Sequence, residues 1–466
     1  MGFNIFAYIT KNLLYVYFIC FCAGFSFGYT IGFSSYMGPA LIAEGSLNKT
    51  NASWFTSLMT IGTIFGILLA AIITERLGRK PGVIVTLLMS VVGWTCLLSH
   101  IYLLNIGRFI TGLSSGLMIT VIPTYLVEIS PKDLRGRAGF SSQISICIGI
   151  LAAYSSGSYI SPRYNALPPL ILCMLGLCGS FIIPESPRYL LVSNLRTKAR
   201  VALLWLRGPG QGSFDEEFED IDLSARTNEG KVKFLSMFTQ PILRATLIVG
   251  IILMTLQQLT GINVMLFHAV SIYDTIQMQI NVSNNVTVVN DVQTHQLNLM
   301  NLASKTVVIA IVQCGATVAS FFIADRVGRR KLVIFSGIGM SFSLFLMATC
   351  TVSAKLYYFS CAFSLYIIMF SVGWGPVPIL ALSEMLPTRI RIKASMICII
   401  IAWTVSFFLL HFHIKLLAYI GASPYFTMYA LFCLLGAYLI YKCLPETLGK
   451  SLESIERDLI STSTKI

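Results

Sequence analysis

The chain has 466 residues, of which 55% are hydrophobic and only 11% charged, against roughly 25% charged in a soluble domain. That composition excludes a soluble globular domain and implies an integral membrane protein. The net charge of +13 gathers in short loops on one side of the predicted spans, so it reports membrane orientation and not a nucleic-acid surface.

A membrane-crossing helix needs ~20 apolar residues. Twelve candidate spans lie near 13–33, 54–73, 82–100, 102–126, 138–160, 166–184, 242–272, 301–324, 332–352, 356–385, 394–417 and 424–444. Two charged turns separate spans at equivalent places, E-R-L-G-R-K at 75–80 and D-R-V-G-R-R at 325–330. Such turns cannot sit in hydrocarbon and mark a membrane surface. With the N-terminus inside, the inner loops carry Arg76, Arg79 and Lys80, then Lys132, Arg135 and Arg137, then Arg326, Arg329, Arg330 and Lys331, then Arg389, Arg391 and Lys393. The opposite loops carry little beyond Lys49, Arg163, Lys305, Lys355 and Lys415. This bias predicts that both termini are cytosolic. The first apolar stretch follows Lys11 and lacks a small-residue cleavage site, so it is expected to be a span and not a signal peptide.

Span 1 holds G-F-S-F-G-Y-T-I-G-F-S-S at 24–35, whose glycines permit close helix approach or local unwinding. The loop after it carries two glycosylation sequons, at Asn48 and Asn51; a later loop of the same side carries two more, at Asn281 and Asn285. Span 4 contains Arg108, either snorkelling to an interface or paired in a polar interior. Glu128, Pro131 and Arg135 recur as Glu384, Pro387 and Arg391, and P-E-S-P-R at 184–188 recurs as P-E-T-L-G at 445–449. These ordered matches predict two six-span halves, 1–185 and 241–445, followed by a cytosolic tail at 446–466. The polar stretch 186–240 between them is expected to form short cytosolic amphipathic helices.

Span 7 holds Q-Q-L-T-G-I-N at 257–263. Gln257, Gln258 and Asn263 make a dense amide set in an apolar helix, suited to a neutral, hydroxyl-rich ligand because amides both donate and accept. His268 follows in the same span; His411 and His413 of span 11 are expected at the interface. The twelve Cys are scattered without metal-ligand spacing. No metal, cofactor or enzymatic activity is expected.

Together these motifs resemble those of the sugar porter branch of the major facilitator superfamily over nearly the full length, most of all insect trehalose and glucose facilitators. The resemblance implies an all-α membrane protein of twelve transmembrane helices in two pseudo-symmetric six-helix bundles, with a cytosolic helical insert. It implies alternating access around one sugar site held by Gln143, Gln257, Gln258, Asn263, Gln313 and Trp403. Glu128, Arg135, Glu384 and Arg391, with Glu75, Arg76, Arg79, Asp325, Arg326 and Arg329, would form the cytosolic gating network. The chain departs from the family pattern at Phe267, His268, Ser371, Ile379, Ala402 and Gln313, which leaves the identity of the sugar open. Proton-coupled members carry Asp where this chain has Thr30, so the expectation is a plasma-membrane facilitator; a proton symporter and a non-transporting sugar sensor are the alternatives.

Overall fold

The computed structural model describes residues 10–131, 134–208, 214–226, 236–283, 292–352, 356–385 and 391–444. Among them there are helices and turns and no strand. The first run comprises α1 (Lys11–Ala43), α2 (Lys49–Arg76), α3 (Arg79–Ser99), α4 (Leu104–Ile129), α5 (Arg135–Tyr159) and α6 (Leu167–Ser180). Four short helices follow: α7 (Pro187–Val192), α8 (Arg196–Arg207), α9 (Phe214–Arg226) and α10 (Ser236–Thr239). The second run comprises α11 (Pro241–Leu259), α12 (Ile262–Phe267), α13 (Ala269–Ser283), α14 (Val292–Val327), α15 (Arg329–Val352), α16 (Leu356–Val372), α17 (Val377–Met385), α18 (Arg391–Ile420) and α19 (Ala422–Cys443). Ten helical stretches among the described residues are long and apolar enough to cross a membrane. The serine-rich α5 and the 14-residue apolar α6 occupy the other two predicted spans.

The chain divides into two compact units. The first comprises Met1–Gly28, Gly62–Ile146 and Ala166–Val232; the second comprises Tyr29–Ile61, Cys147–Asn165 and Lys233–Ile466. In the first unit, small residues let helix backbones touch, as expected where lipid supplies no hydrophobic drive between helices. A Cβ on Gly62 would fall 2.1 Å from the Phe109 carbonyl oxygen, and one on Gly116 would fall 2.1 Å from that of Thr63. On α1, a Cβ on Gly28 would fall 1.9 Å from the Ile146 carbonyl oxygen. Thus α1 stays helical throughout, and Gly24, Gly28 and Gly32 serve close packing and not unwinding.

Among the described residues between the two runs, α8 and α9 pair. Ala199, Ala202 and Leu203 of α8 pack on Phe218 and Ile221 of α9. Arg207, 3% exposed, pairs with Glu217 at 2.7 Å and donates to the Ile129 carbonyl, which ends α4, at 2.9 Å. Thr10 and Asn12 donate to the carbonyls of Leu206 and Trp205. The insert is therefore fastened to the feet of α1 and α4.

In the second unit two predicted spans are broken, which the apolar count alone did not foretell. Span 7 divides at Thr260–Gly261 and again at His268. Gly261 takes φ +86, open to glycine and strained for other residues. Span 10 divides at 373–376, where Pro376 has no N–H to continue a helix and a Cβ on Gly373 would lie 2.4 Å from that of Ser336.

Candidate functional site

Every break in a membrane helix frees backbone groups that must find partners inside the protein. Here each break finds a partner on the span that carries the other. Gln257, on the last turn of α11, donates from Nε2 to the carbonyls of Trp374 at 2.7 Å and Gly375 at 3.2 Å. Tyr366 of α16 donates in return to the carbonyl of Thr260 at 3.0 Å. Ser336 of α15 completes the second break, donating to the Met369 carbonyl at 2.6 Å and accepting from Trp374 N–H at 3.2 Å.

The first break also assembles the amide set. Five residues apart on a continuous helix, Gln258 and Asn263 would point well away from each other. The turn at Gly261 brings them together, with Asn263 Nδ2 2.6 Å from Gln258 Oε1 and 2.9 Å from Ser406 Oγ of α18. Gln313 of α14 and Trp403 of α18 are also buried in this unit, at 4% and 7% exposure. Gln313 Oε1 is buried with no hydrogen-bond partner among the described residues. Gln143 lies half-buried on the part of α5 that belongs to the first unit.

Further along, the C-terminal parts of α1 and α5 pack against α12 and α13 within the second unit. Ser35 Oγ accepts from Val270 N–H at 2.9 Å, and Tyr154 donates to the Leu266 carbonyl at 2.6 Å. His268 stacks on His413 at 4.4 Å between ring centroids, and His413 is hydrogen-bonded to Tyr425. This corrects the expectation for His413, which is 1% exposed and interior because Tyr425 satisfies its ring. His411 is half-buried and hydrogen-bonds Ser57 of α2 at 3.0 Å.

Arg108 is fully buried within the first unit, so it does not snorkel. The charged turns repeat in backbone as well as sequence. Gly78 takes φ +106 and Gly328 φ +94, and the next residue of each, Arg79 or Arg329, starts a helix. Arg79 pairs with Glu128 at 2.8 Å, and Glu128 accepts from Ser186 Oγ at 2.5 Å. Glu185 lies at the centre of the turn. Its carboxylate accepts from the N–H groups of Arg79 at 2.9 Å, Lys80 at 3.2 Å and Ser186 at 2.8 Å, capping α3 where the helix dipole favours an anion. Burial nevertheless pushes its carboxyl above the usual range, opposed by those N–H groups. Only its place in P-E-S-P-R beside the charged turns hinted at this role.

Glu75 and Arg76 are exposed at the end of α2. Arg329 is buried at the start of α15. Arg135, Asp325, Arg326, Glu384 and Arg391 have side chains outside the described residues. Asn48 and Asn51 are exposed; Asn48 Oδ1 caps α2 through the N–H of Asn51 at 2.8 Å. Asn281 is half-buried on α13, and Asn285 lies outside the described residues.

Broken apolar helices presenting amides, with a charged turn repeated in each half, define a membrane transporter of the major facilitator fold. A solved structure of the proton:xylose symporter XylE bound to 6-bromo-6-deoxy-D-glucose superposes with a TM-score of 0.76 at 22% identity, covering 97% of this chain and all of that one. The model of the sugar (and other) transporter family matches residues 15–459, and the chain belongs to that family. Facilitated glucose transporter member 6 of Homo sapiens is 31% identical, over 96% of this chain and 91% of its own. Sugar transporter ERD6-like 6 of Arabidopsis thaliana is 30% identical, over 92% and 87%. The facilitated trehalose transporter Tret1 of Drosophila grimshawi is 29% identical over 92% of this chain but only 46% of its own.

Proposed function

We propose that this protein is a facilitative transporter of a neutral sugar such as trehalose or glucose, acting by alternating access at the plasma membrane with both termini cytosolic. The observation that carries the reading is the pairing of Gln258 with Asn263 at the Gly261 break, 2.6 Å apart. An amide pair on a hinge can exchange its internal hydrogen bond for sugar hydroxyls, so that binding and helix movement are one event. Gln313, with its open carbonyl oxygen, adds an acceptor; the family resemblance adds Gln143 and Trp403 to the residues expected to hold sugar. The halves 1–185 and 241–445, joined by the 186–240 insert, present this site to each side of the membrane in turn. The charged turns, with Asp325 and Arg326, and the repeated motif that carries Glu128 and Arg135, then Glu384 and Arg391, bias that movement. Thr30 cannot titrate where proton-coupled members of the family carry Asp, which supports uniport.

Radiolabelled glucose and trehalose uptake into oocytes expressing the chain tests the assignment. Saturable uptake of either sugar, weakened in Gln258→Ala, is expected. Absence of uptake for both, with the protein at the surface, would remove these sugars as substrates.

A further inference from the structure

Two cysteines that the transport reading leaves unused face each other in the second unit. Cys147 lies on α5, one turn beyond Gln143; Cys314 lies on α14, next to Gln313. Their side chains are close enough to interact. Cys147, 1% exposed, also places its Sγ 3.5 Å from Oγ1 of Thr317, one turn along α14 from Cys314. Cys314 is half-buried, so one thiol of the pair is open to small reagents while the other is sealed behind it. Both cysteines are reduced. The helices that carry them belong to different halves of the sequence repeat, α5 following the first charged turn and α14 leading into the second.

We propose that Cys147 and Cys314 form an oxidisable pair, and that a disulfide between them ties α5 to α14 and arrests transport. The inference rests on the alternating-access reading, because a bond between the two repeats matters only if they move apart. With the Cys147 sulfur packed one helical turn from Cys314, a side-chain rotation and a small approach bring the two to the ~2.05 Å of a sulfur–sulfur bond. The oxidant is a peroxide. The Cys314 thiolate attacks one peroxide oxygen; the S–O bond forms, the O–O bond breaks, and the departing hydroxide leaves as water after taking a proton. Cys147 sulfur then attacks the sulfenic sulfur. The S–S bond forms, the S–O bond breaks, and the hydroxide leaves as a second water with the Cys147 proton. Two thiols are oxidised and one peroxide is reduced to two waters. A dithiol reductant reverses the bond.

The test uses the full chain in proteoliposomes, treated with hydrogen peroxide and then with dithiothreitol. Peptide mass spectrometry without reduction should find the Cys147–Cys314 link. Uptake should fall to the level of empty liposomes and return on reduction, while the Cys147→Ser and Cys314→Ser variants keep their uptake under peroxide. Absence of the linked peptide, a link that leaves uptake intact, or equal inhibition of the double variant would each overturn the proposal. If untreated protein takes up no sugar, the transport reading fails while the mass spectrum still decides whether the pair oxidises.

Discussion

Gln257 donates a 2.7 Å hydrogen bond to the carbonyl of Trp374, 117 residues away, and so binds the last turn of α11 to the break between α16 and α17. With Tyr366 of α16 returning a bond to Thr260, the two broken spans are tied to each other. Gln257→Ala should leave the Trp374 and Gly375 carbonyls unsatisfied, at a cost of about 1–3 kcal/mol. A lowered melting temperature together with a reduced maximal exchange rate is expected. Gln258→Ala should act mainly on the apparent affinity for sugar. Exchange kinetics and thermal unfolding of the two variants side by side would separate the roles; identical profiles would contradict them.

Gly261 is the pivot of the first break. Alanine there would meet positive φ, and its Cβ would lie 2.7 Å from Cδ1 of Tyr429. Strain of about 1–3 kcal/mol is expected from the backbone alone. Gly261→Ala should lose most transport while reaching the surface poorly, and Tyr429→Leu should recover part of it by relieving the contact. No recovery would place the cost in the backbone conformation only.

These breaks show where the sequence was legible. Apolar run length located the spans, the recurrence of Arg-x-Gly-Arg located the repeat, and the amides of 257–263 marked the polar set. The contacts between distant segments were not legible. Gln257 looks like any buried amide until Trp374 is placed beside it, and a continuous helix would separate Gln258 from Asn263. His413 illustrates the same limit, since a histidine near a span end is ordinarily interfacial and only Tyr425 makes it an interior residue. Glu185 was visible as a letter in a motif, but its three N–H donors come from two chain segments far apart in sequence.

Glu185 supports a pH prediction. Its carboxyl is raised in the folded chain by burial, so the unfolded chain ionises first as pH rises. This group's contribution is therefore most favourable below the unfolded value and declines as pH rises through the folded value. Glu185→Gln keeps an acceptor and removes the titration; its melting temperature should vary less than the parent's across the acidic range. Glu185→Ala removes the cap of α3 and should cost about 1–2 kcal/mol at all pH values tested.

Glu128 offers a separate check on the charged turn. Its side chain is 9% exposed and pairs with Arg79. Glu128→Ala would remove the carboxylate from a guanidinium that keeps the Thr74 carbonyl and the Tyr189 ring, a loss of about 1–3 kcal/mol. Arg79→Ala with Glu128→Ala together should cost less than the sum of the two single changes, and strict additivity in a double-mutant cycle would show that the pair is not coupled.

The central claim is movement of sugar down its own gradient, and proteoliposomes holding equal sugar on both sides test it most directly. An inward proton gradient is imposed, and radiolabelled glucose or trehalose is followed inside. A facilitator exchanges label until the two sides are equal and goes no further, with or without a protonophore. Accumulation above the external concentration, abolished by the protonophore, would contradict the account and make the protein a proton symporter.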